Sequence, residues 1–151
     1  MPRFHASRTV SHPAPAMFNL VADVESYPKF LPLCRDLKVR SRSTLADGRE
    51  VLVADMEVGY KAIRESFTSR VTLDRGNSEI LVEYISGPFR HLENRWHFTE
   101  LGPESSKIDF DIAYEFKSRT LALLVGGMFE AAFRKFAEAF ESRADLVYGH
   151  A

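Results

Sequence analysis

The chain has 151 residues, of which 45% are hydrophobic and 27% are charged, and its formal net charge is -1. These values are typical of one globular domain and exclude a disordered tail or a coiled coil. The near-neutral charge gives no support for DNA binding across a broad phosphate-neutralising surface. The single cysteine, Cys34, excludes an internal disulfide and favours a reducing cytoplasm.

No apolar core of signal-peptide length follows the first residues. No apolar run reaches the roughly 18 residues that a membrane span needs. We therefore expect a cytoplasmic protein, for which any contact with a membrane, such as the inner membrane, could only be peripheral. No repeat or linker interrupts the chain, so residues 1–151 are predicted to form a single domain.

The N-terminal segment predicts a strand, a helix and a bend. Residues 4–10 alternate apolar and polar side chains at strand spacing. Pro13 suits the first turn of a helix, and apolar residues over 17–24 continue at helical spacing. The helix ends before Pro28, because the residue preceding a proline avoids helical backbone. Residues 27–32 can hold only a short helical turn or a bend.

Segments of strand length follow, separated by turns rich in glycine, proline, aspartate and asparagine. Tight turns join antiparallel neighbours, since parallel pairing needs long crossovers. With the first segment they predict a curved antiparallel sheet of about seven strands. The segments are 35–45, 49–58, 61–73, 78–86, 89–101 and 106–117.

Side-chain alternation predicts one apolar sheet face. Segment 78–86 is apolar on both parities and stays unassigned. The inward residues of the three clearest strands are Ile63, Glu65, Phe67, Ser69, Val71, Leu92, Asn94, Trp96, Phe98, Ile108, Phe110, Ile112, Tyr114 and Phe116.

A long amphipathic helix over 119–147 is predicted to cover that face, which makes the fold class α+β. Ser118 can cap the start of the helix, and Gly149 lies just past its end. Its apolar stripe consists of Leu121, Leu124, Val125, Met128, Phe129, Ala132, Phe133, Phe136, Ala137 and Phe140.

Side-chain size along this helix predicts a cavity under its first half. The first half carries Gly126, Gly127 and Met128, which leave space, whereas the phenylalanines of the second half can pack one end solid. Glycine inside a helix costs about 1 kcal/mol relative to alanine, so the pair indicates a kink or a close backbone approach. The alternative, that the stripe is only core, stays open.

The inward polar residues are a second indication of a ligand. Buried polar groups need hydrogen-bond partners, and a ligand's carbonyls would supply them at Ser69, Asn94 or Tyr114. Bridging waters or a Glu65–Ser69 pair would serve equally well. Glu65 is the one inward carboxylate and hence the candidate general base if the chain were an enzyme.

No catalytic or metal site is predicted. His91 and His97 share a strand face but stand six residues apart, about 20 Å and too far for one metal ion. The other histidines, His5, His12 and His150, are predicted to be ordinary surface residues. Cys34 lacks a partner base and is expected to be a small buried residue. The run Arg35, Lys38, Arg40 and Arg42 predicts a solvated strand face.

Several segments resemble a known family. Residues 27–34, Tyr-Pro-Lys-Phe-Leu-Pro-Leu-Cys, are similar to the Tyr-Pro-x-Phe-Leu-Pro-x-Cys motif of the coenzyme Q-binding proteins in the START-like superfamily. Residues 87–98 resemble that family's Gly-Pro-Phe…Leu…Trp-x-Phe segment, and 116–119 and 139–144 match its closing strand-to-helix pattern. Leu33 departs from the pattern, because many relatives carry tryptophan there.

The resemblance implies a helix-grip fold in the order βααββββββα, with a hydrophobic cavity between sheet and helix. It implies binding of a polyprenylated quinone (coenzyme Q, ubiquinone) or a similar lipid, as a chaperone or carrier that supports respiration, with no required cofactor. Two other functions known in the superfamily stay open. One is an aromatase/cyclase acting on polyketides, and the other is a ribosome-associated inhibitor of translation, the toxin of a toxin–antitoxin pair.

We therefore predict a binder of a hydrophobic small molecule rather than an enzyme. The motif loop is expected at the entrance of the cavity and the inward residues along its walls. The predicted ligand-binding residues are Phe30, Leu31, Pro32, Phe67, Ser69, Asn94, Trp96, Tyr114, Phe116, Leu124 and Met128.

Overall fold

A computed structural model describes residues 3–60 and 62–149, without the side chain of Tyr60. A strand and a helix come first, a meander of strands follows, and a long helix closes the chain. The elements are β1 (Arg3–Val10), α1 (Ala14–Ala22), a 3-10 helix (Val24–Lys29), β2 (Cys34–Thr44), β3 (Glu50–Tyr60), β4 (Ile63–Asp74), β5 (Glu79–Ser86), β6 (Phe89–Gly102), β7 (Ser105–Phe116) and α2 (Arg119–Tyr148).

The strands form one antiparallel sheet in the order β1-β7-β6-β5-β4-β3-β2. β2 to β7 are neighbours in chain order because short turns join them, and β1 closes the far edge by pairing with β7. Register shifts interrupt the β2–β3, β4–β5 and β6–β7 ladders. Such bulges increase twist and bend, so the sheet curves around α2. The predicted α+β helix-grip architecture is confirmed.

The face that the sheet turns toward α2 carries the predicted inward residues of β6 and β7. Trp96, Phe98 and Phe110 are buried there. The structure also assigns the segment that its apolar pattern left ambiguous. In β5, Ile80 is buried against the helix side, whereas Ile85 is 46% exposed.

Both predicted caps of α2 are present. The Leu121 amide donates to Ser118 Oγ at 3.1 Å. At the other end Gly149 has φ +86, and its amide donates to the carbonyl of Asp145 at 3.0 Å. No helix among residues 3–60 and 62–149 combines the length and apolarity needed to cross a membrane.

The C-terminal end of α2 is tied to the connection between β1 and α1. His12, which is only 4% exposed, places Nε2 at 2.7 Å from Asp145 Oδ1. The Ser106 hydroxyl donates to the His12 carbonyl at 2.8 Å, and the Tyr148 hydroxyl donates to the Ala16 carbonyl at 3.2 Å. The prediction that His12 is a surface histidine is wrong, because the last turns of α2 cover it.

The expected close backbone approach at Gly126 and Gly127 is also wrong. A Cβ built at either glycine meets no atom of the described residues within 4 Å, and α2 runs unbroken through both. Within residues 3–60 and 62–149, no packing contact requires a glycine at these two positions.

Gly87, in contrast, has no room for a side chain. Its φ is +141, and a Cβ there would lie 2.6 Å from Phe67 Cβ and 2.9 Å from Phe67 Cα. The β5–β6 turn therefore crosses β4 in direct contact with its backbone. This contact explains the glycine that opens the Gly87-Pro88-Phe89 segment.

We predict that Gly87→Ala lowers the free energy of unfolding by about 1–3 kcal/mol, because the new methyl group is both strained and overpacked. Gly126→Ala is the matched control. It adds a methyl group in open space and should raise stability by up to about 1 kcal/mol. Urea unfolding followed by circular dichroism measures both, and equal stability of the two variants would contradict the close approach.

Candidate functional site

A cavity of about 90 Å³ lies between α2 and the sheet. Nearly all of its surface is apolar, and every element from the 3-10 helix to α2 contributes to it. Its lining consists of Val24, Tyr27, Leu31, Pro32, Leu33, Cys34, Leu37, Ala54, Met56, Val58, Phe67, Ser69, Val71, Val82, Phe89, Leu92, Asn94, Trp96, Ile112, Phe129, Ala132, Phe133, Phe136 and Phe140.

The cavity exists because the rings of α2 pack toward only one side of the sheet. Phe140 contacts Trp96 of β6, with ring centroids 5.0 Å apart, and Phe133 contacts Tyr114 of β7 at 5.2 Å. The opposite wall is β3, whose inward residues include the small Ala54. Ala132 on α2 is equally short, so space remains between the helix and β3.

Ser69 supplies the one polar side-chain atom in this cavity that lacks a partner in the described part of the chain. The residue is 6% exposed, and its Oγ makes no hydrogen bond. Trp96 and Asn94, two further polar lining residues, bond to each other, because Trp96 Nε1 donates to Asn94 Oδ1 at 2.9 Å. Asn94 Nδ2 in turn donates to the Asp111 carbonyl at 2.9 Å.

The alternative of a Glu65–Ser69 pair is wrong. Four residues along a strand span about 13 Å, too far for a hydrogen bond between the two side chains. Glu65 borders instead a separate hollow of about 20 Å³, which it shares with Ile63, Val125 and Met128. The candidate general base therefore lies outside the main cavity.

The titratable groups that line the cavity, Tyr27 and Cys34, hold their protons at neutral pH. Burial, with smaller contributions from the charges of Cys34 and Asp23, raises the pKa of Tyr27 above its usual range. Its hydroxyl donates to the Val21 carbonyl. Burial and then the Asp36 charge raise the pKa of the Cys34 thiol to about 12. Neither group can exchange a proton readily near pH 7.

The motif loop divides between the cavity and the α2 interface. Leu31 and Pro32 line the cavity, as their predicted place at the entrance requires. Phe30 does not. Its ring packs on Phe140 at 5.1 Å, and the Arg143 guanidinium lies 5.4 Å from its centroid. Phe30 therefore fastens the loop to the helix from outside.

Leu33 separates the cavity from the surface. It borders the main cavity, the Glu65 hollow and a surface depression formed with Pro28, Cys34, Arg35 and Gly59. Its φ is +66, a left-handed conformation that costs a branched residue about 1–2 kcal/mol. The Gly59 amide donates to the Leu33 carbonyl at 3.0 Å and holds it there. We term Leu33 and the depression beside it the entrance.

The remaining predicted lining residues separate into two groups. Phe67, Ser69, Asn94 and Trp96 are brought together around the main cavity. The others lie elsewhere. Tyr114 packs against Phe133, and Phe116 packs against Phe129, so the helix rings separate both from the cavity. Met128 borders the Glu65 hollow, and Leu124 is 62% exposed.

The helix geometry explains the error at Leu124. At 100° per residue, Leu124 lies roughly 130° around the helix from the line through Phe129 and Phe136 that faces the sheet. Leu121 and Val125 occupy the inner side at this level. The predicted position of the cavity under the first half of α2 is also wrong. The helix residues that line the cavity run from Phe129 to Phe140, in the second part of α2.

The β3 wall is absent from the predicted lining. Leu52, Ala54, Met56 and Val58 alternate along that strand, and Ala54, Met56 and Val58 line the cavity. This period-two pattern was readable in segment 49–58. The phenylalanines of the second half of α2 form the helix wall of the cavity, instead of filling that end solidly as predicted.

The other chemistry-bearing residues form no three-ligand cluster in the described part of the chain. Within residues 3–60 and 62–149, no three histidine, cysteine or acidic side chains converge. His150 lies outside the described residues. In the basic run, Arg40 pairs with Asp55 at 2.5 Å and Arg42 pairs with Glu25, as expected for a solvated strand face.

A curved antiparallel sheet closed by a C-terminal helix over an apolar cavity defines a START-like ligand-binding fold. The chain belongs to the family described as polyketide cyclase / dehydrase and lipid transport, whose pattern it matches over residues 10–141. The predicted resemblance to the START-like superfamily is therefore confirmed.

Two curated relatives illustrate how the family diverges. The chain is 33% identical to "Ribosome association toxin RatA" of Escherichia coli over 148 residues, covering 98% of this chain and 90% of that protein. It is 28% identical to "Coenzyme Q-binding protein COQ10 homolog B, mitochondrial" of Xenopus laevis over 149 residues, covering 97% of this chain and 59% of that protein.

Solved structures show the same fold. A START superfamily protein from Mycobacterium smegmatis superposes with a TM-score of 0.79 at 21% identity, covering 96% of this chain and 98% of that one. The Zhui aromatase/cyclase from a Streptomyces species gives 0.74 at 19% identity, covering 95% and 93%. At these identities the likeness extends to the fold alone.

The two buried serines give a matched test of the cavity. We predict that Ser69→Ala leaves stability unchanged or raises it by up to about 1 kcal/mol, because it removes an unsatisfied hydroxyl. Ser106→Ala should cost about 1–3 kcal/mol, since it leaves the buried His12 carbonyl without its donor. Urea unfolding measures both. A similar loss in the two variants would mean that Ser69 has a structural partner.

Cys34 allows a test of the burial at the entrance. With its pKa at about 12, the thiolate fraction near pH 8 is about a thousandfold below that of a thiol at 9.0. We expect disulfide-exchange labelling of the folded protein to be at least about a hundredfold slower than in denaturant, and to accelerate as pH rises. Equal rates would show that the thiol is exposed.

Proposed function

We propose that the chain binds a polyprenylated quinone, or a closely related isoprenoid, and carries it in support of respiration. The observation that carries this proposal is the unpartnered Ser69 hydroxyl in an otherwise apolar cavity. A quinone ring presents carbonyl oxygens that accept hydrogen bonds, and the rest of the molecule is apolar. We propose further that the whole chain, residues 1–151, acts as one ligand-binding unit in the cytoplasm.

The contacts around Ser69 suit a flat ring. The Ser69 hydroxyl can donate to a ring carbonyl, while Trp96 and Phe67 supply aromatic faces and edges beside it. The isoprenoid tail would run past Leu31 and Leu33 toward the entrance. A charged ligand is disfavoured, because no side chain of the described lining carries a charge at neutral pH.

Binding requires the cavity to expand. Its volume of about 90 Å³ is below the roughly 150 Å³ that accommodates a benzene-sized ring. Leu33 is the residue that must move first, since it lies between cavity and surface in a strained backbone conformation. We therefore propose that the ligand enters there and holds the cavity open from within.

The comparisons support a hydrophobic ligand more strongly than any particular one. The name of the Xenopus relative supports coenzyme Q, whereas the Streptomyces structure belongs to an aromatase/cyclase. Cyclisation needs a group that exchanges protons near neutral pH. Tyr27 and Cys34 stay protonated, and Glu65 lies in the neighbouring hollow, so the lining favours binding over turnover.

Ribosome association is the second candidate, favoured by the 33% identity to the Escherichia coli toxin. It would use the outer face of β2, where the side chains of Arg35 and Lys38 are exposed. Arg40 and Arg42 on that strand are already paired with carboxylates. Those pairs leave a weaker electrostatic surface for RNA than the sequence alone suggests.

The test is a titration with a short-tailed ubiquinone, followed by quenching of Trp96, the only tryptophan. We expect saturable quenching, with Ser69→Ala weakening affinity about fivefold, the value of one neutral hydrogen bond. Ala54→Phe should abolish binding by filling the β3 side of the cavity. Leu146→Ser, a change at a 75% exposed position of α2, is the matched control.

Several outcomes would contradict the proposal. Quenching that does not saturate, or that persists unchanged in a folded Ala54→Phe variant, would exclude the cavity as the site. Glu65-dependent conversion of a model poly-β-ketone, followed by mass spectrometry, would identify an enzyme. Co-sedimentation with ribosomes that is lost on Arg35→Ala and Lys38→Ala would favour the second candidate.

A further inference from the structure

Two leucines at the start of α2 are exposed without any role in the fold. Leu123 is 87% exposed and Leu124 is 62% exposed. Neighbouring side chains on the same turns, Leu121 and Val125, supply the contacts with the core. Exposing large apolar side chains side by side on a helix is unfavourable in water unless something covers them.

Other elements bring further apolar and cationic groups to the same end of the sheet. The β3–β4 turn, the β5–β6 turn and the β7–α2 connection all lie there, because β3, β5 and β7 end where β4, β6 and α2 begin. Ile85, 46% exposed, lies at the end of β5. We define the leucine end as Leu123, Leu124 and Ile85 with the flanking cations Lys117 and Arg119.

The charge at the leucine end is positive. Lys117 and Arg119 are both exposed, and the first turn of α2 contains no acidic residue. Among the described residues, no carboxylate forms an ion pair with either of these cations, whereas the nearby Arg90 pairs with Glu115 at 3.6 Å. Apolar side chains bordered by uncompensated cations complement a surface of anionic headgroups over acyl chains.

From this complementarity we infer that the leucine end docks on an anionic lipid bilayer. Leu123 and Leu124 insert at the level of the acyl boundary, and Lys117 and Arg119 contact the headgroups. The docked orientation turns the start of α2, the Glu65 hollow and the entrance toward the lipid. With the entrance facing the lipid, an apolar ligand could pass between bilayer and cavity without crossing water. Only this passage of a ligand rests on the proposed function.

The opposite end of α2 provides an internal comparison. Leu146 and Val147 are 75% and 50% exposed, so exposure alone does not distinguish the two ends. Here Asp145 pairs with the buried His12, the nearby Arg143 guanidinium packs over the Phe30 ring, and Tyr148 is bonded to the Ala16 carbonyl. Leu146 and Val147 therefore lack flanking cations like Lys117 and Arg119, which an anionic bilayer would attract, so the two leucine-bearing ends of the helix should behave differently.

The experiment is co-sedimentation of ligand-free protein with vesicles of phosphatidylcholine, alone or mixed with phosphatidylglycerol. We expect binding to the mixed vesicles that weakens at high salt. The double variant Leu123→Ser/Leu124→Ser should lose about tenfold or more in affinity, and Leu146→Ser/Val147→Ser should bind like the parent. Lys117→Gln/Arg119→Gln should remove the preference for anionic lipid. Circular dichroism verifies the fold of each variant.

Three results would overturn the inference. The first is no binding to either kind of vesicle. The second is equal loss in the two double variants, which would show that the leucine end is not the contact. The third is a concentration-dependent dimer in light scattering that Leu123→Ser/Leu124→Ser abolishes, because a second copy would then cover these leucines. Since no quinone is present, failure here leaves the Trp96 titration as an independent test of the cavity.

Discussion

The one-sided ring packing of α2 is the constraint on which the rest of the structure depends. Phe133 and Phe140 pack on β6 and β7, so the helix is held at a fixed distance from that half of the sheet. Because the sheet curves, the β3 half cannot close the remaining gap with a residue as small as Ala54. The same contacts that stabilise the core therefore create the cavity, and removing a ring would alter both.

The two ends of α2 are anchored very differently, so the helix is held more firmly at its end than at its start. The last turns are held by the partly buried His12–Asp145 pair and by Tyr148. The first turns are held by a cap and by few apolar contacts, with Leu123 in solvent. Local opening is easiest where buried contacts are fewest. Any expansion of the cavity should thus begin near the first turns, beside the entrance at Leu33.

Periodicity predicted the fold because burial repeats every two residues in these strands and every 3.6 in the helix. On that basis it places Trp96 and Ser69 on the inward sheet face, and both line the cavity. It could not give the position of the cavity, which depends on how the sheet curves and on which flank of the helix faces it. For this reason the pattern predicts Leu124 inside the cavity, whereas its side chain is exposed. The left-handed Leu33 depends on long-range contacts and leaves no local pattern.

Magnitudes indicate what would determine affinity in such a site. The Ser69 hydroxyl can contribute about 1 kcal/mol as a neutral hydrogen bond, enough to orient a ring but not to hold it. Each buried methylene contributes about 0.8 kcal/mol, so one isoprene unit outweighs the hydroxyl. Under the proposed function, selectivity between quinones should therefore follow the tail and the fit of the ring between Trp96 and β3. An apolar lining with one directional contact is suited to carrying a ligand, because it binds without activating any atom of it.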